Sequence, residues 1–109
     1  MRVIIFLTVL MTFELSQARV SSIRCETMGI ASLSAQVKLV RSQWQTDSSQ
    51  GYDLQILSKP SKGFATAEIA VQSGSTTVFS TVQKVFYAST ARELFREFVG
   101  ELVVVCGVR

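Results

Sequence analysis

The chain has 109 residues, enough for one compact domain. Apolar residues make up 48% of it and charged residues 17%; apolar positions run along the whole chain, which excludes a disordered one. There is no His and no Asn, and the net charge is +3, so an imidazole triad, a common zinc site and an N-glycosylation acceptor are all excluded.

Met1 and Arg2 give a short basic start. Val3 to Phe13 is an apolar run of eleven residues interrupted only by Thr8 and Thr12, and Ser16-Gln17-Ala18 follows with small residues at the two positions read by signal peptidase. The run falls well short of the roughly 20 residues a membrane-spanning helix needs. Residues 1–18 are therefore expected to be a secretory signal peptide rather than an anchor, and residues 19–109 a single domain. That domain is expected to be secreted and not held in a membrane. Its basic residues are scattered and form no run, so no nucleic-acid partner is expected.

Alternation then marks short strands. Ser22 to Ile30 is the first and contains Cys25. Ala35 to Trp44 alternates, with Ala35, Val37 and Leu39 on one face, and Thr46 to Gly51 reads as a polar turn. Tyr52 to Ser58 places Tyr52, Leu54 and Ile56 against Asp53 and Gln55, and Lys59 to Gly63 is a strong turn signal. Phe64 to Gln72 alternates again, Ser73-Gly74-Ser75 suits a hairpin, and Thr76 to Tyr87 has the Thr, Val and Phe content of a strand.

Thr90 to Gly100 reads as a helix. Thr90 and Glu93 form a capping box, and Ala91, Leu94, Phe95, Phe98 and Val99 recur at helical spacing. Gly100 stands where a C′ glycine would. The helix is expected to dock on a sheet; the competing reading is a membrane-surface or partner helix. The continuous run Leu102 to Val105 then marks Glu101 to Val108 as a central strand or one covered on both faces. Together these elements predict a mainly β fold, two packed three-stranded antiparallel sheets forming a six-stranded sandwich, with one short helix before the last strand.

Cys25 and Cys106 stand near the two ends of the exported domain. In an oxidising compartment they are expected to pair, since only one intramolecular pairing exists. Buried free thiols or a reactive cysteine are the alternatives, the second lacking a His to serve as base. No P-loop, GxGxxG or CxxC stands in the chain and no carboxylate pair is bracketed in a motif, so no catalytic residues, metal or cofactor are expected. Trp44, the only Trp, follows Arg41, and both types are enriched in binding hot spots. Trp44 reads either as an interface anchor or as a cap on the core. Arg41, Trp44, Tyr52 and Asp53 are the candidate protein-binding residues. The segments Val37 to Trp44 and Tyr52 to Ser58 are expected to include a sheet edge, where a partner could add a strand.

An N-terminal signal, about 90 exported residues, six short strands and Cys25 in the first of them resemble the MAX effectors of fungal plant pathogens (Magnaporthe avirulence and ToxB-like proteins). Within that family the length and opening residues look most like blast-fungus avirulence proteins. The resemblance implies two three-stranded sheets, a first sheet that pairs the first and last strands, delivery into the host plant cell, binding of host plant proteins, recognition by a host immune receptor, and no catalysis. Two features depart from the family pattern: Cys106 lies in the final strand, and a helix precedes that strand. The expected function is that of a secreted effector, acting as a monomer on host proteins. The alternative is a small secreted enzyme or toxin, nuclease-like or membrane-active.

Overall fold

The computed structural model describes residues 20–109. The expected signal peptide, residues 1–18, lies outside the described residues. The described part is all β: β1 (Ser22–Gly29), β2 (Leu33–Lys38), β3 (Gln43–Ser49), β4 (Tyr52–Pro60), β5 (Phe64–Ser73), β6 (Thr76–Phe86), β7 (Arg92–Val99) and β8 (Leu102–Val108). They form two four-stranded antiparallel sheets, ordered β2-β1-β8-β7 and β3-β4-β5-β6. Two packed antiparallel sheets agree with the sequence. The strand number and the helix do not: there are eight strands rather than six, four per sheet rather than three, and no helix among the described residues.

Alternation explains which face each strand buries. Ile23 and Cys25 of β1, Leu33, Ala35 and Val37 of β2, and Leu102, Val104, Cys106 and Val108 of β8 turn inward. From the other sheet come Leu54 and Ile56 of β4, Ala65, Ala67, Ile69 and Val71 of β5, and Val85 of β6. These side chains form one continuous core between the sheets. Buried Thr27 accepts a hydrogen bond from the Leu33 N–H at 2.9 Å and donates to the Ala31 carbonyl at 3.0 Å, which satisfies its hydroxyl and closes the β1–β2 connection.

The segment expected as a single strand from Ala35 to Trp44 is two strands, β2 and β3. Leu39 to Ser42 turns the chain from one sheet to the other. The turn contains no Gly or Pro; buried Leu39 anchors it, and its N–H donates to the Ser21 carbonyl at 2.9 Å. The expected polar turn at Thr46 to Gly51 shrinks to Gln50 and Gly51, because Thr46 to Ser49 pair with β4. Gln50 and Gly51 both have positive φ (53° and 83°), the pattern of a two-residue hairpin turn that matches strand twist.

Thr90 to Gly100 is the clearest correction. Arg92 to Val99 is strand β7, antiparallel to β8, and Val99 faces Leu102 across a two-residue turn. The glycine that suited a helix end supplies φ +61° at the first turn position instead, a conformation both structures require. Adjacent Leu94 and Phe95 fitted a helical stripe and would diverge in a regular strand. A register shift between Glu93 and Phe95 lets both pack against the core. Phe98, expected on the buried stripe, is 70% exposed on the outer face. The pairing with β8 overrides the local helical signal.

Most consecutive strands are hydrogen-bonded neighbours. β1–β2, β3–β4, β4–β5, β5–β6 and β7–β8 pair directly, and β8 pairs back onto β1. Only two seams, β2/β3 and β6/β7, lack a ladder. Side chains bridge the first: Asp47 accepts from the Ser34 N–H at 2.9 Å, and the Gln43 side-chain oxygen accepts from the Lys38 N–H at 2.8 Å. The Phe79 and Phe95 rings, centroids 5.8 Å apart, meet across the second. The Cys25–Cys106 disulfide lies in the core between directly opposed residues of β1 and β8, with Cα atoms 4.1 Å apart. Among the described residues no cysteine is free.

The strand assignment of β7 predicts opposite outcomes for its two Phe residues. Phe95→Ala is expected to lower unfolding stability by about 2 kcal/mol or more, because Phe95 packs against the core. Phe98→Ala is expected to stay within about 0.5 kcal/mol of the parent. Urea denaturation of both variants checks this, and equal large losses would restore the helical stripe. Replacing both cysteines by Ala removes a cross-link between residues 81 apart in sequence. The expected cost is about 4 kcal/mol. Denaturation with and without reductant measures it, and mass measurement of the native protein should show no free thiol.

Candidate functional site

The four candidate binding residues do not form one cluster. Arg41 is exposed in the β2–β3 turn. Trp44 is the second residue of β3 and is 56% exposed, so of the two readings it is not a cap on the core. Tyr52 faces inward and packs against the core. Asp53 is half-buried on the outer face, where it accepts a hydrogen bond from the Ser48 hydroxyl. It stands opposite Ser48, whereas Trp44 stands opposite Leu57, four residues further along β4. The edge expectation holds for one of its two segments, since Val37 to Trp44 includes the end of edge strand β2 and the start of edge strand β3. Tyr52–Pro60 is central, flanked by β3 and β5, so Tyr52 to Ser58 is no edge. β2 and β3 are edge strands, but they face each other and are linked by the Asp47 and Gln43 hydrogen bonds. An incoming strand there would have to displace those bonds.

Strand register assembles a different surface around Trp44. Trp44, Leu57, Glu68 and Val82 face one another in turn across β3, β4, β5 and β6. Because alternation puts Ile56, Ile69 and Val85 into the core, this row must point outward. Val82 is 64% exposed and Leu57 half-buried. The next row, Thr46, Gln55, Ala70 and Ser80, is small and polar. A shallow hollow of ≈ 390–460 Å³ scale is formed on each outer face; the one here, ≈ 460 Å³, is lined by Trp44, Gln55, Leu57, Glu68, Ala70 and Val82. The large Trp44 and Val82 side chains stand at its two ends, and the short Ala70 and Ser80 leave its floor low.

Charge borders the hollow. The Lys59 ammonium pairs with Glu68 at 2.7 Å with both side chains about half exposed, a geometry that orders the rim and adds little stability. Lys84 lies 4.2 Å from the Phe64 ring centroid and 5.4 Å from that of Phe86, and the two rings are 6.0 Å apart. This cation–aromatic cluster extends the exposed apolar surface along β5 and β6. Of this row, the exposed Trp44 is the residue whose type is enriched in binding hot spots. Among the described residues no group of three His, Cys, Asp or Glu side chains could hold a metal ion, and no helix is long and apolar enough to cross a membrane.

Sequence reading found Trp44 but missed Leu57, Val82 and Lys84. Leu57 was legible as an apolar residue on the polar face of Tyr52 to Ser58. Val82 was not, because only the cross-strand register places it in the row of Trp44. No family model matches the chain, and neither a curated protein nor a solved structure matches it.

Proposed function

We propose that this protein is a secreted effector of the kind its sequence resembles, which binds host plant proteins and is recognised by a host resistance protein. The observation that carries the reading is the exposed Trp44–Leu57–Val82 surface on the outer face of the β3-β4-β5-β6 sheet. A large exposed aromatic amid apolar neighbours costs solubility without serving the core, and such patches mark interaction sites. The sequence of residues 1–18 supports export, and a buried disulfide suits an oxidising compartment. The resemblance to MAX effectors supplies the host plant and its receptor. The strand number of eight differs from the family's six, so the binding surface is drawn from this chain's own face and not carried over. The lysine rim and the net charge of +3 favour a partner whose apolar contact is bordered by acidic residues.

Trp44→Ala is expected to weaken binding to a host protein captured from plant extract by about 1–2 kcal/mol, the usual scale of an interface anchor. Arg41→Glu, in the β2–β3 turn three residues before Trp44, is expected to weaken it less. Neither should change the thermal unfolding midpoint measurably, because both residues are exposed. Titration of the captured protein against each variant checks the order. Unchanged affinity in two folded variants would move the interface away from this face.

A further inference from the structure

The opposite outer face, that of the β2-β1-β8-β7 sheet, has a different pattern. Three successive rows cross β1, β8 and β7 in register: Arg24, Gly107 and Glu93; Glu26, Val105 and Arg96; Met28, Val103 and Phe98. All point away from the core, because Cys25, Cys106 and Phe95 between them point into it. The first two rows form a checkerboard: positive then negative in one, negative then positive in the next. The third row is apolar, with Met28 43% and Phe98 70% exposed.

Such a pattern complements itself. Take a two-fold axis lying along β8, with a second copy placed face to face on the first. The rotation exchanges the β1 and β7 columns and keeps each row. Arg24 of one copy then meets Glu93 of the other, Glu26 meets Arg96, Met28 meets Phe98, and Val103 meets Val103. Every charged contact is between opposite signs, and each occurs twice, as in any isologous contact. Neighbouring strands lie about 4.8 Å apart and successive rows about 7 Å, so long side chains can reach across even with the usual ~30° rotation between aligned sheets. β8 carries only Gly107 and Val105 between the charged columns, so it does not hold the copies apart.

We propose that this protein forms a reversible homodimer through the outer face of β1, β8 and β7, with the Arg24–Glu93 and Glu26–Arg96 pairs setting its register. The charges point to a second copy over a simple ion. Arg24 already pairs with Glu26 at 3.0 Å and Arg96 with Glu93 at 3.0 Å, so these four groups sum to zero and attract neither an anion nor a cation as a set. A surface with the same alternation offers each group an opposite charge without parting the existing pairs. Arg92, opposite Val108 and so one position beyond the matched rows, and Arg109 line the same hollow. One sheet face is at the small end of interface sizes, so the dimer is expected to dissociate on dilution. This face is separate from that of Trp44, and the two readings stand or fall independently.

Charge reversal with complementation tests the dimer. In sedimentation velocity the purified protein should shift from dimer to monomer on dilution. Arg96→Glu alone places Glu against Glu26, and Glu26→Arg alone places Arg against Arg96; each should weaken dimerisation by about tenfold or more. An equimolar mixture of the two variants should associate, because both of its cross-contacts are again between opposite charges. Arg24→Glu with Glu93→Arg provides a second such pair if either variant fails to fold, as judged by near-ultraviolet circular dichroism. A parent that is monomeric at every concentration, single variants that dimerise like the parent, or folded variants that do not associate when mixed would each overturn the proposal. Trp44→Ala should leave dimerisation unchanged.

Discussion

The pairing of β1 with β8 is the contact on which the rest of the fold depends. Most other strand pairs join neighbours in the chain through short turns, so their closure entropy is small. β1 and β8 lie at opposite ends of the domain, and Cys25 and Cys106 are 81 residues apart. Bringing them together costs the most chain entropy of any ladder in the molecule. The seven ladder positions from Ile23–Val108 to Gly29–Leu102 and the disulfide at the third of them offset that cost. Without this ladder the chain would be a meander with β1–β2 at one end and β7–β8 at the other. With it the two hairpins become one sheet, and that sheet can cover the core presented by β3 to β6.

The seams follow from the same closure. A ring of antiparallel neighbours could form a barrel, but here the ladder is interrupted twice and the two halves flatten against each other. Two backbone N–H groups of β2, those of Ser34 and Lys38, donate to the Asp47 and Gln43 side chains of β3, which accept where the carbonyls of a neighbouring strand otherwise would. Such pairing blunts an edge that could template aggregation. At β6 and β7 the contact is aromatic, between Phe79 and Phe95, and needs no ladder.

Two outer faces remain, and they differ in chemistry. The β3 to β6 face carries Trp44, Leu57 and Val82 with a lysine rim, which suits a foreign apolar surface. The β1-β8-β7 face carries alternating charge, which suits a copy of itself. In each case strand pairing brings together residues far apart in sequence: Trp44 and Val82 in one row, Arg24 and Glu93 in another. Neither row is a sequence motif.

Sequence alone determined what is local. Alternation in Tyr52 to Ser58 and Phe64 to Gln72 marked strands and their buried faces, because a half-buried strand imposes a two-residue period. The run Leu102 to Val105 marked either a central strand or one covered on both faces, and β8 is central, between β1 and β7. Two cysteines in an export context allowed one intramolecular bond. Tertiary structure decided what local signals leave degenerate. Thr90 to Gly100 satisfies both a helical stripe and a bulged strand, and the free ladder edge of β8 selected the strand. Leu39 to Ser42 has no Gly or Pro, yet the chain turns there because Leu39 reaches the core and β3 pairs with β4. Trp44 could have faced in or out; the β3–β4 register turned it out, because one residue of register in a strand reverses every side chain.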